Sequence, residues 1–212
     1  MDEVIPLFST PIFLSKLNIS DQHFNIIQDY IKDIHYNQCF DDDGYKNGFI
    51  SANQSLLDDP KILKIRLLIE EKLKEYLFNI LKLNPSLRIK HQCSWAIKHE
   101  YGDKSHIHRH SNSLFSGVLY LKVPQDSGNY LTFYNNQPSF STSTISLAFT
   151  EYNWYNSNEW KFEVDEKTII IFPSHTYHKA PISRSYDTRY CISFNYFLSG
   201  EIKIETRYVN LN

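Results

Sequence analysis

From residue 88 onward the chain changes its hydrophobic period, and that change constrains the fold more than any other feature. Upstream, apolar residues recur at helical spacing; downstream they alternate. Segments 88–99, 115–123, 130–134, 144–149, 160–164, 168–172, 189–198 and 202–209 all read as strands, with turn residues between them. Eight short strands over about 120 residues predict a β-sandwich, jelly roll or barrel of antiparallel strands. The high aromatic content, 15 Tyr and 14 Phe, suits that texture.

The upstream part reads as support. Residues 4–17 are apolar and interrupted by Pro6 and Pro11, which suggests an edge strand or strand pair. Ser20 and Asp21 offer a cap, and Phe24, Ile27, Tyr30 and Ile31 follow at helical spacing, so a helix is expected to about His35. Asp59-Pro60 opens a second helix. Its apolar face is Ile62, Ile65, Leu68, Ile69, Leu73, Tyr76, Leu77 and Ile80, and it ends near Asn84-Pro85. Between the helices, residues 37–52 are polar around DDDGYKNG; the EF-hand pattern is missing, so the stretch reads as a solvated loop. The expectation is one domain over 1–212, mainly β in an α+β class, with a helical support region (1–87) packed on a β core (88–212).

Bulk properties narrow the partners. A net charge of −2 provides no global basic field for nucleic acid. Cys39, Cys93 and Cys191 are odd in number and contain no CxxC, which suits a reducing compartment. The first residues lack a basic n-region, and no apolar run approaches the ~20 residues of a membrane span. A soluble, cytoplasmic protein is expected. The alternating segment 202–209 can extend a sheet edge, which leaves a homodimer open.

The chemistry concentrates in GDKSHIHRHSNSLFSGVLY, residues 102–120. His106, His108 and His110 occupy every second position, so in an extended strand they share one face about 6.5–7 Å apart, within reach of one metal ion. Taken alone, such a row also fits a polar edge strand. A second signal, FPSHTYHKAP at residues 172–181, places His175 and His178 at the end of an apolar strand. In RYCISFNYF, residues 189–197, Arg189 heads an otherwise apolar strand, where burial demands an anionic partner; a structural ion pair is the competing reading.

This order of motifs resembles the 2-oxoglutarate- and iron(II)-dependent oxygenases, in a branch with HxH followed by SGVYYL-like sequence and, distantly, the prolyl hydroxylases. The resemblance covers about residues 94–197. It implies a double-stranded β-helix (a jelly-roll, cupin-like core), with Fe(II) and 2-oxoglutarate as cofactor and cosubstrate and O2 as the oxidant. His108, His110 and His178 would be the metal ligands and catalytic centre, Arg189 would bind the distal carboxylate of 2-oxoglutarate, and Tyr120 would bond the same carboxylate. His106 and His175 are left as outer or surface residues. His110 stands where most relatives carry a carboxylate, so Asp103 is a competing donor.

The implied reaction is hydroxylation of a C–H bond with formation of succinate and CO2, on a peptidyl or small-molecule substrate. Two other readings remain: a non-catalytic β-sandwich binding module, or a cupin-type metalloenzyme that does not use 2-oxoglutarate. Only the oxygenase needs a buried cation at Arg189. Residues 135–160, rich in Ser, Thr, Asn and aromatics, form either a lid in which Trp154, Tyr155 and Trp160 meet substrate, or a plain hairpin.

Overall fold

The computed structural model describes residues 3–5, 7–41, 44–135, 148–204 and 207–211, with side chains through 201. Its strands are β1 (Phe13–Lys16), β2 (Tyr36–Phe40), β3 (Lys46–Ser51), β4 (Arg88–His99), β5 (Phe115–Lys122), β6 (Tyr130–Tyr134), β7 (Glu159–Glu163), β8 (Thr168–Pro173), β9 (Tyr177–Lys179), β10 (Arg189–Ile204) and β11 (Arg207–Leu211). Helices α1 (Asp21–Asp33) and α2 (Leu63–Lys74) lie in the first half. The larger sheet has the order β1-β8-β5-β10-β4-β3-β2, with β11 paired to β10; the smaller is β7-β6-β9. All of these pairings are antiparallel. This is the double-stranded β-helix arrangement with helices on its outer face.

Strand period decides what each layer receives. On β10, Ile192, Phe194 and Tyr196 join Ile65, Ile69 and Leu73 of α2 and Phe24, Ile27 and Ile31 of α1 in one buried cluster. The alternate residues Arg189, Cys191 and Ser193 face the interior between the sheets. On β8, Ile169 and Ile171 go to the helices, while Ile170 and Phe172 join Tyr120, Leu131 and Phe133 in a second cluster. A single sheet is therefore buried on both faces, which explains why its strands are so apolar.

Several expectations needed correction. Residues 37–52 are not a solvated loop; they form the β2–β3 hairpin, which adds to β4 through Phe49↔Lys98 and Ile50↔Ile97. The Asp41 carboxylate accepts from the Tyr45 N–H at 2.7 Å at its turn. A polar strand at a sheet edge has no buried face on one side, so its alternation is weak. The second helix starts where predicted, ends at Ile80 short of Asn84-Pro85, and changes its turn type. Pro60–Ile62 is a 3-10 turn capped by Asp59, whose carboxylate accepts from the Lys61 N–H at 2.9 Å, and Glu75–Ile80 is π-helical. The expected strand 202–209 is instead divided between the end of β10 and β11. The short β9 had no sequence signal, and most of the expected strand 144–149 lies outside the described residues.

Candidate metal centre

The backbone itself brings the two histidine segments together. His108 and His178 form an antiparallel bridge: the His108 N–H donates to the His178 carbonyl at 3.0 Å, and the His178 N–H returns the bond at 2.9 Å. Directly opposed residues project to one face. Two positions along, the His110 N–H donates to the Ser174 carbonyl at 3.0 Å and keeps its ring on that face. One ring nitrogen from each of His108, His110 and His178 lies within 4.8 Å of the others. Ring centroids are 4.4 Å apart for His108–His178, 5.1 Å for His110–His178 and 5.2 Å for His108–His110.

Hydrogen bonds set the tautomers of two of these rings. The Nδ1 of His108 lies 2.9 Å from the His106 carbonyl oxygen, and that of His178 lies 3.0 Å from the Thr176 carbonyl oxygen. A carbonyl only accepts, so both Nδ1 atoms carry the proton and both Nε2 atoms present a lone pair. Each ring is thus held by the carbonyl two residues before it. Burial, together with the neighbouring rings, depresses the pKa of His178 to about 3 and of His110 to about 4, and that of His108 is lowered as well. The three are neutral at neutral pH, the form a cation requires. Three imidazoles without a carboxylate fit a first-row transition metal such as iron(II).

The other candidate donors are not in this cluster, although His106 lines the same cavity as the triad. His106 is exposed and works through its backbone; its N–H donates to Asn47 Oδ1 at 3.2 Å, and its Nδ1 lies 3.0 Å from Asn47 Nδ2. Asp103 is buried, accepts from the Glu100 N–H at 2.8 Å and is absent from the donor cluster. His175 lines a separate recess of about 410 Å³ with Trp154, Trp160 and Phe162. Trp154 and Trp160 stack there at 5.0 Å, so these aromatics are not part of the wall around the triad.

The triad opens into a cavity of about 330 Å³ that also receives Arg189, Tyr120, His99, Trp95 and Asn47. Among the described lining residues there is no carboxylate, and Arg189 is the only lysine or arginine. Arg189 is 2% exposed. Its Nη1 donates to the Gly128 carbonyl at 2.6 Å and its Nη2 to His99 Nδ1 at 2.5 Å, both neutral acceptors. A buried guanidinium with no counter-ion among the described residues is a costly arrangement that an anionic ligand would relieve. Tyr120 is 2% exposed in the same cavity, and burial pushes its phenol well above the usual range.

His99, Asn47 and Trp95 carry no signal in the sequence that connects them to the site. His99 merely ends an alternating strand. Only strand pairing shows it opposite Arg189, and only the unforeseen hairpin delivers Asn47.

Residues 93–195 match the family described as "Putative 2OG-Fe(II) oxygenase". No curated protein matches the sequence. Among solved structures, the chain is similar to the non-heme alpha ketoglutarate dependent epimerase SnoN from nogalamycin biosynthesis, with TM-score 0.64 and 13% identity over 89% of this chain and 78% of that one. It is also similar to HygX from Streptomyces hygroscopicus with nickel and 2-oxoglutarate bound, with TM-score 0.60 and 9% identity over 88% and 82% of the two chains. A third is the prolyl hydroxylase of Trichoplax adhaerens in complex with a hypoxia inducible factor peptide fragment, with TM-score 0.59 and 13% identity over 90% and 85%. At these identities the likeness is one of fold.

Proposed function

We propose that this chain, a 2-oxoglutarate- and iron(II)-dependent oxygenase over its matched residues 93–195, binds iron(II) through His108, His110 and His178 and anchors the distal carboxylate of 2-oxoglutarate on Arg189. The observation that carries this reading is the pairing of a neutral three-histidine cluster with one buried, uncompensated guanidinium in the same cavity. When bound, the metal supplies the coupling of O2 reduction to oxidative decarboxylation of 2-oxoglutarate, with succinate and CO2 released and a substrate C–H bond hydroxylated.

The chain's own residues orient and exclude. The His106 and Thr176 carbonyls keep two imidazoles aimed at a common point. Arg189 fixes one end of the cosubstrate as a planar donor fork, and Tyr120 offers a neutral hydroxyl in the same cavity. Trp95, whose ring centre lies 5.8 Å from that of His110, together with Ile50 and Phe172 gives the cavity apolar walls that keep water away from the reacting centre. The absence of carboxylates among the described lining residues favours an uncharged reacting segment, either a peptidyl side chain or part of a small molecule. Within residues 1–87, α1 and α2 pack the outer face of the larger sheet, while the β2–β3 hairpin extends that sheet and brings Asn47 and Ile50 to the cavity.

The test is an anaerobic titration of metal-free protein with iron(II) and then 2-oxoglutarate, read by the metal-to-ligand charge-transfer absorbance in the visible. The expected result is a band that appears only with both ligands and requires far more 2-oxoglutarate in Arg189→Ala. Iron binding without a band in the wild type would overturn the cosubstrate assignment. A full band in His178→Ala would overturn the ligand assignment.

A further inference from the structure

We infer that His99 positions Arg189 as a neutral hydrogen-bond acceptor, orienting the guanidinium without cancelling its charge, and so sets the preference of the site for a dicarboxylate. This rests on the assignment of Arg189 to the distal carboxylate made above.

His99 and Arg189 are direct partners across the β4–β10 pair, so their side chains share the inner face. The contact is 2.5 Å from Nη2 to Nδ1. A guanidinium can only donate, so Nδ1 carries the lone pair and the His99 proton sits on Nε2. Burial and the charge of Arg189 hold the His99 pKa down to about 3, and the ring remains neutral. At the other end, Nη1 is tied to the Gly128 carbonyl at 2.6 Å. Two neutral acceptors therefore set the plane of the guanidinium and leave its remaining N–H bonds and its full charge for a ligand.

Close backbone approach locks this arrangement from both sides. Gly48 on β3 has φ +80°, and a Cβ there would fall 2.3 Å from His99 Cδ2. Gly128 has φ +78°, and a Cβ there would fall 2.6 Å from Pro181 Cγ and 3.3 Å from Arg189 Nη1. Both glycines hold conformations that other residues adopt with strain. A carboxylate in place of His99 would orient Arg189 equally well. Its negative charge would, however, form an ion pair and repel the incoming ligand.

The experiment uses Mn(II)-loaded protein and equilibrium calorimetry, so no turnover is needed. Binding of 2-oxoglutarate is compared with that of 2-oxopentanoate, which keeps the chelating end and lacks the distal carboxylate. His99→Gln and His99→Glu have the same shape and differ in charge. The Gln variant is expected to keep the wild-type preference for 2-oxoglutarate within about threefold. The Glu variant is expected to lose about tenfold or more of it, through weaker 2-oxoglutarate binding with 2-oxopentanoate unchanged.

Equal preferences in the two variants would overturn the role of His99. Should the Glu variant not fold, His99→Leu leaves Arg189 tied at one end only; an undiminished preference there would overturn it as well. Arg189→Ala distinguishes the two layers. If it leaves the preference intact, the assignment of Arg189 fails and His99 falls with it. If it abolishes the preference while His99→Glu does not, only the positioning role is lost.

Discussion

A lone histidine on the helix side of the larger sheet and the three-histidine cluster on its inner side show what separates a structural histidine from a candidate ligand. On the helix side, His91 Nδ1 lies 3.2 Å from Asp58 Oδ1 and its Nε2 lies 3.0 Å from Ser94 Oγ. The Ser94 hydroxyl in turn accepts from the buried Leu57 N–H at 2.8 Å, and Asp58 pairs with Arg66. The geometry has the order of a nucleophilic triad, but Ser94 is fully buried, and every polar atom named is already used in fastening the helical layer to β4. In the inner cluster, His108 and His178 each have one nitrogen bound to a backbone carbonyl and the other free to converge on the remaining rings. Satisfied nitrogens hold structure together; converging lone pairs without an acid invite a cation.

That contrast can be broken at several points. The largest expected effect is in the inner cluster: His108→Ala or His178→Ala should cut 2-oxoglutarate turnover by at least about a hundredfold and abolish stoichiometric iron binding, with the fold retained. Turnover assays alongside metal analysis and circular dichroism check this.

The next effect is on acid stability of the metal-free protein. His110 and His178 have folded pKa values near 4 and 3, below the unfolded value of about 6.5, so the unfolded chain binds more protons. Their contribution is complete above about pH 6.5 and is lost as pH falls toward 4 and then 3. The unfolding free energy from urea melts at pH 7, 6 and 5 should therefore fall with increasing steepness, approaching about 1.4 kcal/mol per pH unit for each such histidine below about pH 6.5. His178→Ala should show a visibly shallower slope, and an unchanged slope would contradict the assigned neutrality.

For the helix-side cluster the expected signature is reversed. His91→Ala should cost about 1–2 kcal/mol of stability while leaving iron affinity as in the wild type, since it removes one partner of the buried Ser94 hydroxyl and the ring packed on Tyr196, while Asp58 keeps Arg66. Denaturant unfolding and metal titration on the same preparation test both halves of that statement. Smallest is Ser94→Ala, at about 1 kcal/mol, mainly from the unpaired Leu57 N–H. A loss of turnover in either variant would show that the two clusters are coupled rather than separate.

Much of the centre was legible because it depends on local period. The HxH alternation put His108 and His110 on one face, and the apolar strand ending in FPS placed His178 at its edge. Arg189 stood out as a cation heading an apolar strand. What escaped was pairing across distance. The β2–β3 hairpin, with only a polar texture to announce it, supplies Asn47 and the close approach of Gly48 to His99. The His91–Ser94 contact depends on a bulge: Asn195 pairs with Cys93 but Tyr196 with His91, so Gln92 is an extra residue and His91 and Ser94 come to one face. Strict alternation would have set them on opposite faces.

The amino-acid pattern by itself determined that this chain makes alternating strands behind a helical layer, and which residues of each strand share a face. Those are local consequences of backbone geometry, repeated every second residue. Only the tertiary structure decided that β4 lies against β10 with His99 opposite Arg189, and that His108 bridges to His178. Register and sheet order depend on burying many apolar faces at once, a property of the assembled sheet rather than of any one stretch.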